Sequence, residues 1–207
     1  MIRIRTLAIL VAVALLSGCI SVKSYVDPAF GKATYDDIQQ VSERHDLRIE
    51  VEFQRNGEVF ERAHSEVENH VVRSLRATGV VEPVAEGSGS LRVVVNNVAN
   101  IGESAAKGFG TGLTFGLAGS AVTDYYEISI EYTDGNGTVT THDYKHALHT
   151  TVGNKAAPVE DVEPTTLADG FGTIVEEIIL NFVKDMQDNG LLTNLKQPVP
   201  AVAVLSS

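Results

Sequence analysis

The chain has 207 residues, of which 27 are Asp or Glu and 16 are Lys or Arg, so its formal net charge at pH 7 is −11. This acidity argues against binding to nucleic acid or to anionic lipid headgroups, since both would repel the chain. The length is sufficient for one domain with a sizeable hydrophobic core.

The amino terminus has the layout of a secretory signal. Two arginines lie within the first five residues, and an uninterrupted apolar run covers residues 7–16. A pair of small residues, Ser17 and Gly18, then comes directly before Cys19, as in a cleavage site. The apolar run is too short for a membrane-spanning helix, which needs about 20 residues. We therefore predict that residues 1–18 are a signal peptide.

The sequence Leu-Ser-Gly-Cys at residues 16–19 resembles the lipobox of bacterial lipoproteins. The resemblance covers residues 1–21 and implies diacylglycerol transfer to Cys19, cleavage after Gly18, and acylation of the new amino terminus. Several acyl chains hold a protein stably in a membrane, at about 0.8 kcal/mol per buried methylene. The residue after Cys19 is not the aspartate that retains such proteins at the inner membrane, so the resemblance implies the outer membrane. The alternative is an ordinary secretory peptide.

Acylation of Cys19 would leave the mature chain without a thiol, because the sequence contains one cysteine. Disulfides, thiolate catalysis and cysteine metal sites are then excluded. Cleavage also removes Arg3 and Arg5, so the mature protein would be more acidic than the full chain. This charge indicates solubility and says little about the fold.

Residues 19–46 are predicted to be the lipidated cysteine and a tether that gradually joins the domain. Asp27-Pro28 and Gly31 mark turns in this segment. A single domain is predicted at residues 47–195. Its first strand is expected at residues 47–53, where apolar and polar side chains alternate.

A helix and a second strand are predicted next. From Glu61, apolar residues recur at helical spacing until Gly79, which is a typical C-terminal cap. Residues 91–98 are predicted to form a strand. Its run of three consecutive valines indicates burial on both faces.

Residues 125–149 give the strongest hairpin signal. Apolar and polar side chains alternate from Tyr126 to Tyr132, and residues 134–137 are Asp-Gly-Asn-Gly, which tolerate positive φ in a turn. The return strand is polar, so the hydrophobic pattern leaves its register open.

The carboxyl-terminal helix has the clearest amphipathic pattern. Thr165 or Thr166 can cap its start, and Asp169 in the first turn favours the helix dipole. Asn189-Gly190 ends the helix, and residues 196–207 are predicted to be a loose tail. One apolar stripe follows the helical repeat and consists of Leu167, Phe171, Ile174, Val175, Ile178, Ile179, Phe182, Val183 and Met186.

These elements predict an α+β fold, with a mixed or antiparallel sheet of about four strands and two helices packed on one face. The predicted order is strand, helix, strand, insert, strand, strand, helix. This order is similar to that of several small envelope lipoprotein domains, including the lipopolysaccharide-transport lipoprotein and the amino-terminal domain of the Tol-system propeller protein. The similarity is architectural and implies nothing about function.

A glycine-rich insert at residues 101–123 is the unusual part of the predicted domain. A small residue recurs at every fourth position, and no charged residue occurs between Gly108 and Thr123. On a helix these small residues would share one face, as in close-packed membrane helices. The repeat resembles the glycine zippers of some outer-membrane lipoproteins. It consists of Ser104, Gly108, Gly112, Gly116 and Ser120.

Two interpretations of the insert remain open. It is either a partly apolar loop packed on the sheet or a contact with a partner or membrane through Gly108, Gly112, Phe115, Gly116 and Ser120. A nucleotide site is not predicted, because Leu113 replaces the third glycine of the dinucleotide motif and no Gly-Lys-Ser/Thr sequence follows. No cofactor is predicted.

His142, His146 and His149 lie on the predicted return strand. On a strand, His142 and His146 share a face but lie about 13 Å apart, and His149 faces the other way. No metal site is predicted, because one metal ion needs ligands that converge. A solvent-exposed polar strand is expected instead. Glu176 and Glu177, adjacent on a helix, are not expected to converge on one substrate.

The sequence thus predicts a non-enzymatic protein that acyl chains on Cys19 hold at the periplasmic face of the outer membrane. Its expected role is binding to a protein partner, or assisting assembly, in an envelope complex, without nucleic acid. One alternative is an oligomer that inserts residues 104–120 into the membrane as a glycine zipper. The other is a periplasmic hydrolase that uses His142 or His146.

Overall fold

The computed structural model describes residues 21–99 and 120–193. The predicted signal peptide, Cys19, most of the glycine-rich insert and the predicted tail lie outside these ranges. The predicted boundary at residue 195 therefore stays a prediction. The segment at residues 19–46 was predicted to be a tether, but residues 22–26 pair with residues 148–152 in the sheet and Ile38 is buried in the core, so the described part of this segment belongs to the domain. Among the described residues, no helix is long and apolar enough to cross a membrane.

The described residues form one mixed sheet of seven strands. The strand order is β1-β7-β6-β5-β2-β3, and β4 also pairs with β2. Strand β2 is parallel to β4 and β5, whereas the other pairs are antiparallel. The strands are β1 (Val22–Val26), β2 (His45–Arg55), β3 (Glu58–Val59), β4 (Val81–Val84), β5 (Gly89–Ala99), β6 (Ser120–Thr133) and β7 (Val139–Val152).

Two α-helices occur in the described ranges, α1 (His64–Thr78) and α2 (Leu167–Asp188). Helix α1 ends at Gly79, whose φ of 74° is the left-handed conformation that glycine adopts without strain. Helix α2 is capped at its start by Thr166, whose side chain accepts a hydrogen bond from the backbone N–H of Asp169. Both caps were predicted from the sequence.

Both helices pack on the same face of the sheet. Val93 lies opposite Val51 on β2 and opposite Ile130 on β6, so that their side chains form one apolar row. Leu75 of α1 and Ile178 of α2 belong to the same buried cluster. The alternation of apolar residues along β2 and β6 therefore places the core between the sheet and the helices.

The α+β class is confirmed, but the prediction of about four strands is wrong. The strands that were missed are β1, β3 and β4. Strand β1 lacks a period of two because Ser24 and Tyr25 are both buried, and β3 has only two residues. Strand β4 contains Pro83, which argues against a strand but is tolerated at a sheet edge.

Strand β5 is a central strand, as its apolar composition predicted. Its predicted burial on both faces is only partly right, because Arg92 is exposed and Val94 is half-buried on the face away from the helices. The β6–β7 hairpin was also predicted, and its register is now set by the pairing of Ser120 with Val152. This register decides which β7 side chains face the helices.

Candidate binding cleft beside β7

Most of the residues singled out in the sequence lie outside the described ranges. This applies to the predicted lipidation and cleavage residues, Cys19 and Gly18, and to Gly108, Gly112, Phe115 and Gly116 of the insert. Ser120 is described and begins β6, where it is half-buried opposite Val152. The structure thus leaves these site predictions open.

Strand β7 has an edge that β1 covers only in part. β1 pairs with β7 from Leu148 to Val152, and Ala147 accepts one further hydrogen bond of 3.1 Å from the backbone N–H of Asp27. Among the described residues, no strand pairs with β7 from Val139 to His146 on the side away from β6. Antiparallel pairing alternates along a strand, so Asp143 and Lys145 direct their backbone N–H and C=O groups to this open edge.

A segment between β1 and β2 runs beside this edge and is fastened to α2. We call residues 30–39 the strap. Asn181 of α2 accepts hydrogen bonds from the backbone N–H groups of Lys32 and Ala33, at 3.2 and 2.9 Å, and donates one of 3.1 Å to the carbonyl of Phe30.

The strap is fastened a second time further along α2. The side chain of Gln187 accepts a hydrogen bond of 2.9 Å from the backbone N–H of Gln39 and donates one of 2.7 Å to its carbonyl. Ile38, beside it, is buried in the core. The two amide side chains therefore provide hydrogen-bond partners for partly buried backbone groups of the strap, which is not paired as a strand.

A cleft of about 420 Å³ lies between the open edge of β7, the strap and α2. Tyr144 lines it and donates a hydrogen bond of 2.8 Å to the carboxylate of Asp185. Burial, followed by this hydrogen bond, raises the pKa of Tyr144 above its ordinary value, so its hydroxyl remains a donor at neutral pH. Charged residues of both signs also line the cleft, namely Lys32, Asp37, Asp143, Lys145, Lys184 and Asp185.

Behind Phe30, which lines the cleft, lies a histidine–carboxylate pair whose histidine is buried. His146 is fully buried, and its Nε2 lies 2.7 Å from Oε2 of Glu177 on α2. Its Nδ1 accepts a hydrogen bond of 2.9 Å from the backbone N–H of Ala147, so Nε2–H is the donor of the hydrogen bond to the Glu177 carboxylate. The ring of Phe30 covers His146 at a centroid distance of 5.3 Å.

The three β7 histidines do not converge. His142 faces the helices and lies against the rings of Tyr144 and Phe182. His149 lies on the opposite face, where it contacts Asp27 at 3.2 Å and Thr123 at 2.9 Å. No group of three or more potential metal ligands occurs in the part of the chain that the structure describes.

The expectation that β7 is a solvent-exposed polar strand is wrong for His146. Its polar side chain can be buried because Glu177 of α2 provides a hydrogen-bond partner. The hydrogen bonds between Asn181 and the strap were also not predicted. One signal pointed to them, since Asn181 is a polar residue within the apolar run of residues 178–183.

No family model matches this chain, and no curated protein matches it. Among solved structures, it is similar to a PelC point variant, a dodecamer from Paraburkholderia phytofirmans, with 13% identity and a TM-score of 0.33 over 80% of this chain and 97% of that one. A DUF4136 family protein from Bacteroides thetaiotaomicron shows 10% identity and a TM-score of 0.27 over 85% and 98% of the two chains. These similarities carry no argument about function.

Proposed function

We propose that this chain is a lipoprotein of the outer membrane that binds another envelope protein at its periplasmic face, without catalysing a reaction. The proposed anchor is Cys19, because of the lipobox-like sequence before it. The proposed binding surface is the open edge of β7 with the adjoining cleft. The single observation that carries the binding role is this edge, whose backbone groups are available for pairing.

An extended segment of a partner protein fits this edge best. Such a segment can join a sheet as an added strand, and its main-chain hydrogen bonds then provide affinity. The exposed side chains of Asp143 and Lys145 alternate on the face of β7 away from the helices. A partner strand with a basic and an acidic residue two positions apart would complement them, whereas an uncharged apolar strand would not.

The hydrolase alternative receives less support from the geometry. His146 is buried beneath Phe30, and both of its ring nitrogens have protein partners. A general base must reach the proton that it removes, within about 3 Å. The ring of His142 lies against the rings of Tyr144 and Phe182.

Photo-crosslinking in living cells tests the binding role. We expect a probe at Thr141, exposed on the open edge, to form a discrete adduct with one envelope protein. A probe at Glu127 serves as the control, because it is exposed on the same face but lies on β6, between two paired strands. It should not form this adduct.

A proline at the edge distinguishes strand addition from a nearby contact. Lys145→Pro removes an N–H group that points away from β6, so the sheet should tolerate it while the partner strand loses a hydrogen bond. We expect the Thr141 adduct to disappear in Lys145→Pro and to persist in Lys145→Ala. Equal labelling from Thr141 and Glu127, or an adduct that survives Lys145→Pro, would contradict the proposal.

A further inference from the structure

Three apolar side chains are exposed at the end of the sheet where the chain enters β1. Val22 lies at the start of β1, Val122 lies near the start of β6, and Leu167 is the first residue of α2. Their exposed fractions are 59%, 37% and 54%. We call these three residues the corner.

The strand register brings the two valines of the corner to one face. Val22 lies opposite Val152 of β7, which in turn lies opposite Ser120 of β6. Val122 is two residues further along β6 and therefore points to the same side as Ser120. Strand β7 lies between β1 and β6, and neighbouring strands are about 4.8 Å apart, so Val22 and Val122 lie on one face of the sheet, two strand spacings from each other across it.

Helix α2 begins on this same side of the sheet. Ser24 of β1 and Thr165 exchange two backbone hydrogen bonds of 2.9 and 2.8 Å. Gly170, in the first turn of α2, packs against Leu148 of β7. Leu167 is therefore held beside the start of β1, and the three exposed apolar side chains form one surface.

The chain is fastened to the sheet up to a position very close to Cys19. The carbonyl of Ser21 accepts a hydrogen bond of 2.9 Å from the backbone N–H of Gly153, and the Ser21 hydroxyl donates one of 3.3 Å to the Gly153 carbonyl. Only Ile20 separates Ser21 from Cys19. Even a fully extended chain spans at most about 7 Å over two residues.

We infer that the corner is the surface with which the anchored protein lies against the lipid bilayer. This inference rests on the proposed acylation of Cys19 and adds an orientation to it. Because the backbone of the acylated Cys19 lies at most about 7 Å from Ser21, the domain has too little tether to stand away from the membrane. Exposed apolar side chains at that point can enter the interfacial region, as they do on proteins that lie on a membrane surface.

This orientation directs the cleft toward the periplasm. Asp143 and Lys145 lie seven or more residues along β7 from Val152, which corresponds to about 24 Å in an extended strand. The open edge of β7 is then held clear of the headgroups. A partner strand can reach it without displacing lipid.

Tryptophan fluorescence tests the orientation directly, because the chain contains no tryptophan. The full-length acylated protein is prepared as Leu167→Trp and, separately, as Val122→Trp, and is reconstituted into phosphatidylcholine vesicles with brominated acyl chains. We expect both probes to lose emission relative to vesicles without bromine. Two probes on different elements guard against one variant that folds poorly.

Val139→Trp is the matched control. Val139 is 55% exposed and begins β7 at the opposite end of the sheet. Its emission should be the same in brominated and ordinary vesicles. A second control inserts a flexible Gly/Ser linker after Ile20, which lets the domain move away from the anchor. The quenching of Leu167→Trp should then fall, while the protein still floats with the vesicles.

Vesicle flotation separates failure of this inference from failure of the anchor. If the protein floats but neither corner probe is quenched, the orientation is wrong and the lipid anchor stands. Quenching of Val139→Trp to the same extent as Leu167→Trp would also overturn the orientation. If the purified protein carries no acyl chains and does not float, the proposed anchor fails, and the orientation fails with it.

Discussion

Replacing Phe182 by alanine should lower the free energy of unfolding by about 3–5 kcal/mol. Phe182 is fully buried between the sheet and α2, and its ring meets the His142 ring edge-on at a centroid distance of 5.9 Å. Truncation removes apolar contacts and leaves a cavity that the packed sheet cannot readily close. Chemical denaturation followed by circular dichroism measures this loss.

Leu167→Ala is the control on the same helix. Leu167 has a similar apolar volume but is exposed, so its truncation in solution should change stability by no more than about 0.5 kcal/mol. Similar losses for the two variants would contradict the position of the core. They would also call into question the register that places His142 under α2.

Replacing Asn181 by alanine should destabilise the protein by about 1–3 kcal/mol, because three backbone groups of the strap lose their partner. The substitution should also loosen the strap locally, in addition to lowering the stability of the whole domain. We expect the amides of Lys32 and Ala33 to exchange hydrogen faster in this variant, while amides in the middle of β5 change less. Hydrogen exchange followed by mass spectrometry measures both regions in one sample.

Lys184→Ala provides the comparison for the strap. Lys184 lines the same cleft but pairs with Asp188 on its own helix. Such exposed pairs contribute about 0.3–0.5 kcal/mol, so exchange in the strap should remain as in the unaltered protein. Faster strap exchange in Lys184→Ala than in Asn181→Ala would show that Asn181 is not the main fastening point.

The spacing of apolar residues along the sequence correctly predicted the strands and helices that bury one face. The alternation in β2 and β6 and the apolar stripe of α2 each reflect burial against the same core. Strand β1 was missed because both of its faces have buried residues, Ser24 and Tyr25, which removes the alternation. Strand β4 was missed for another reason: it contains Pro83, and proline argues against a central strand although an edge strand tolerates it.

The candidate cleft could not be predicted, because it depends on contacts between distant parts of the chain. His146 and Glu177 are 31 residues apart, and the polar sequence of β7 did not specify the register that brings them together. Asn181 contacts the strap across about 150 residues of sequence. Local patterns indicate burial and period, whereas such pairs follow from the topology of the complete sheet.

Intact-mass spectrometry of the protein extracted from the envelope of a Gram-negative expression host tests the central claim most directly. The proposed anchor predicts a mature chain that begins at Cys19 and carries the added mass of a diacylglycerol group and an amide-linked acyl chain. Treatment of the Cys19→Ser variant in the same way should give no acylated species. A mature protein with a free Cys19 thiol, or one cleaved at another residue, would contradict the account.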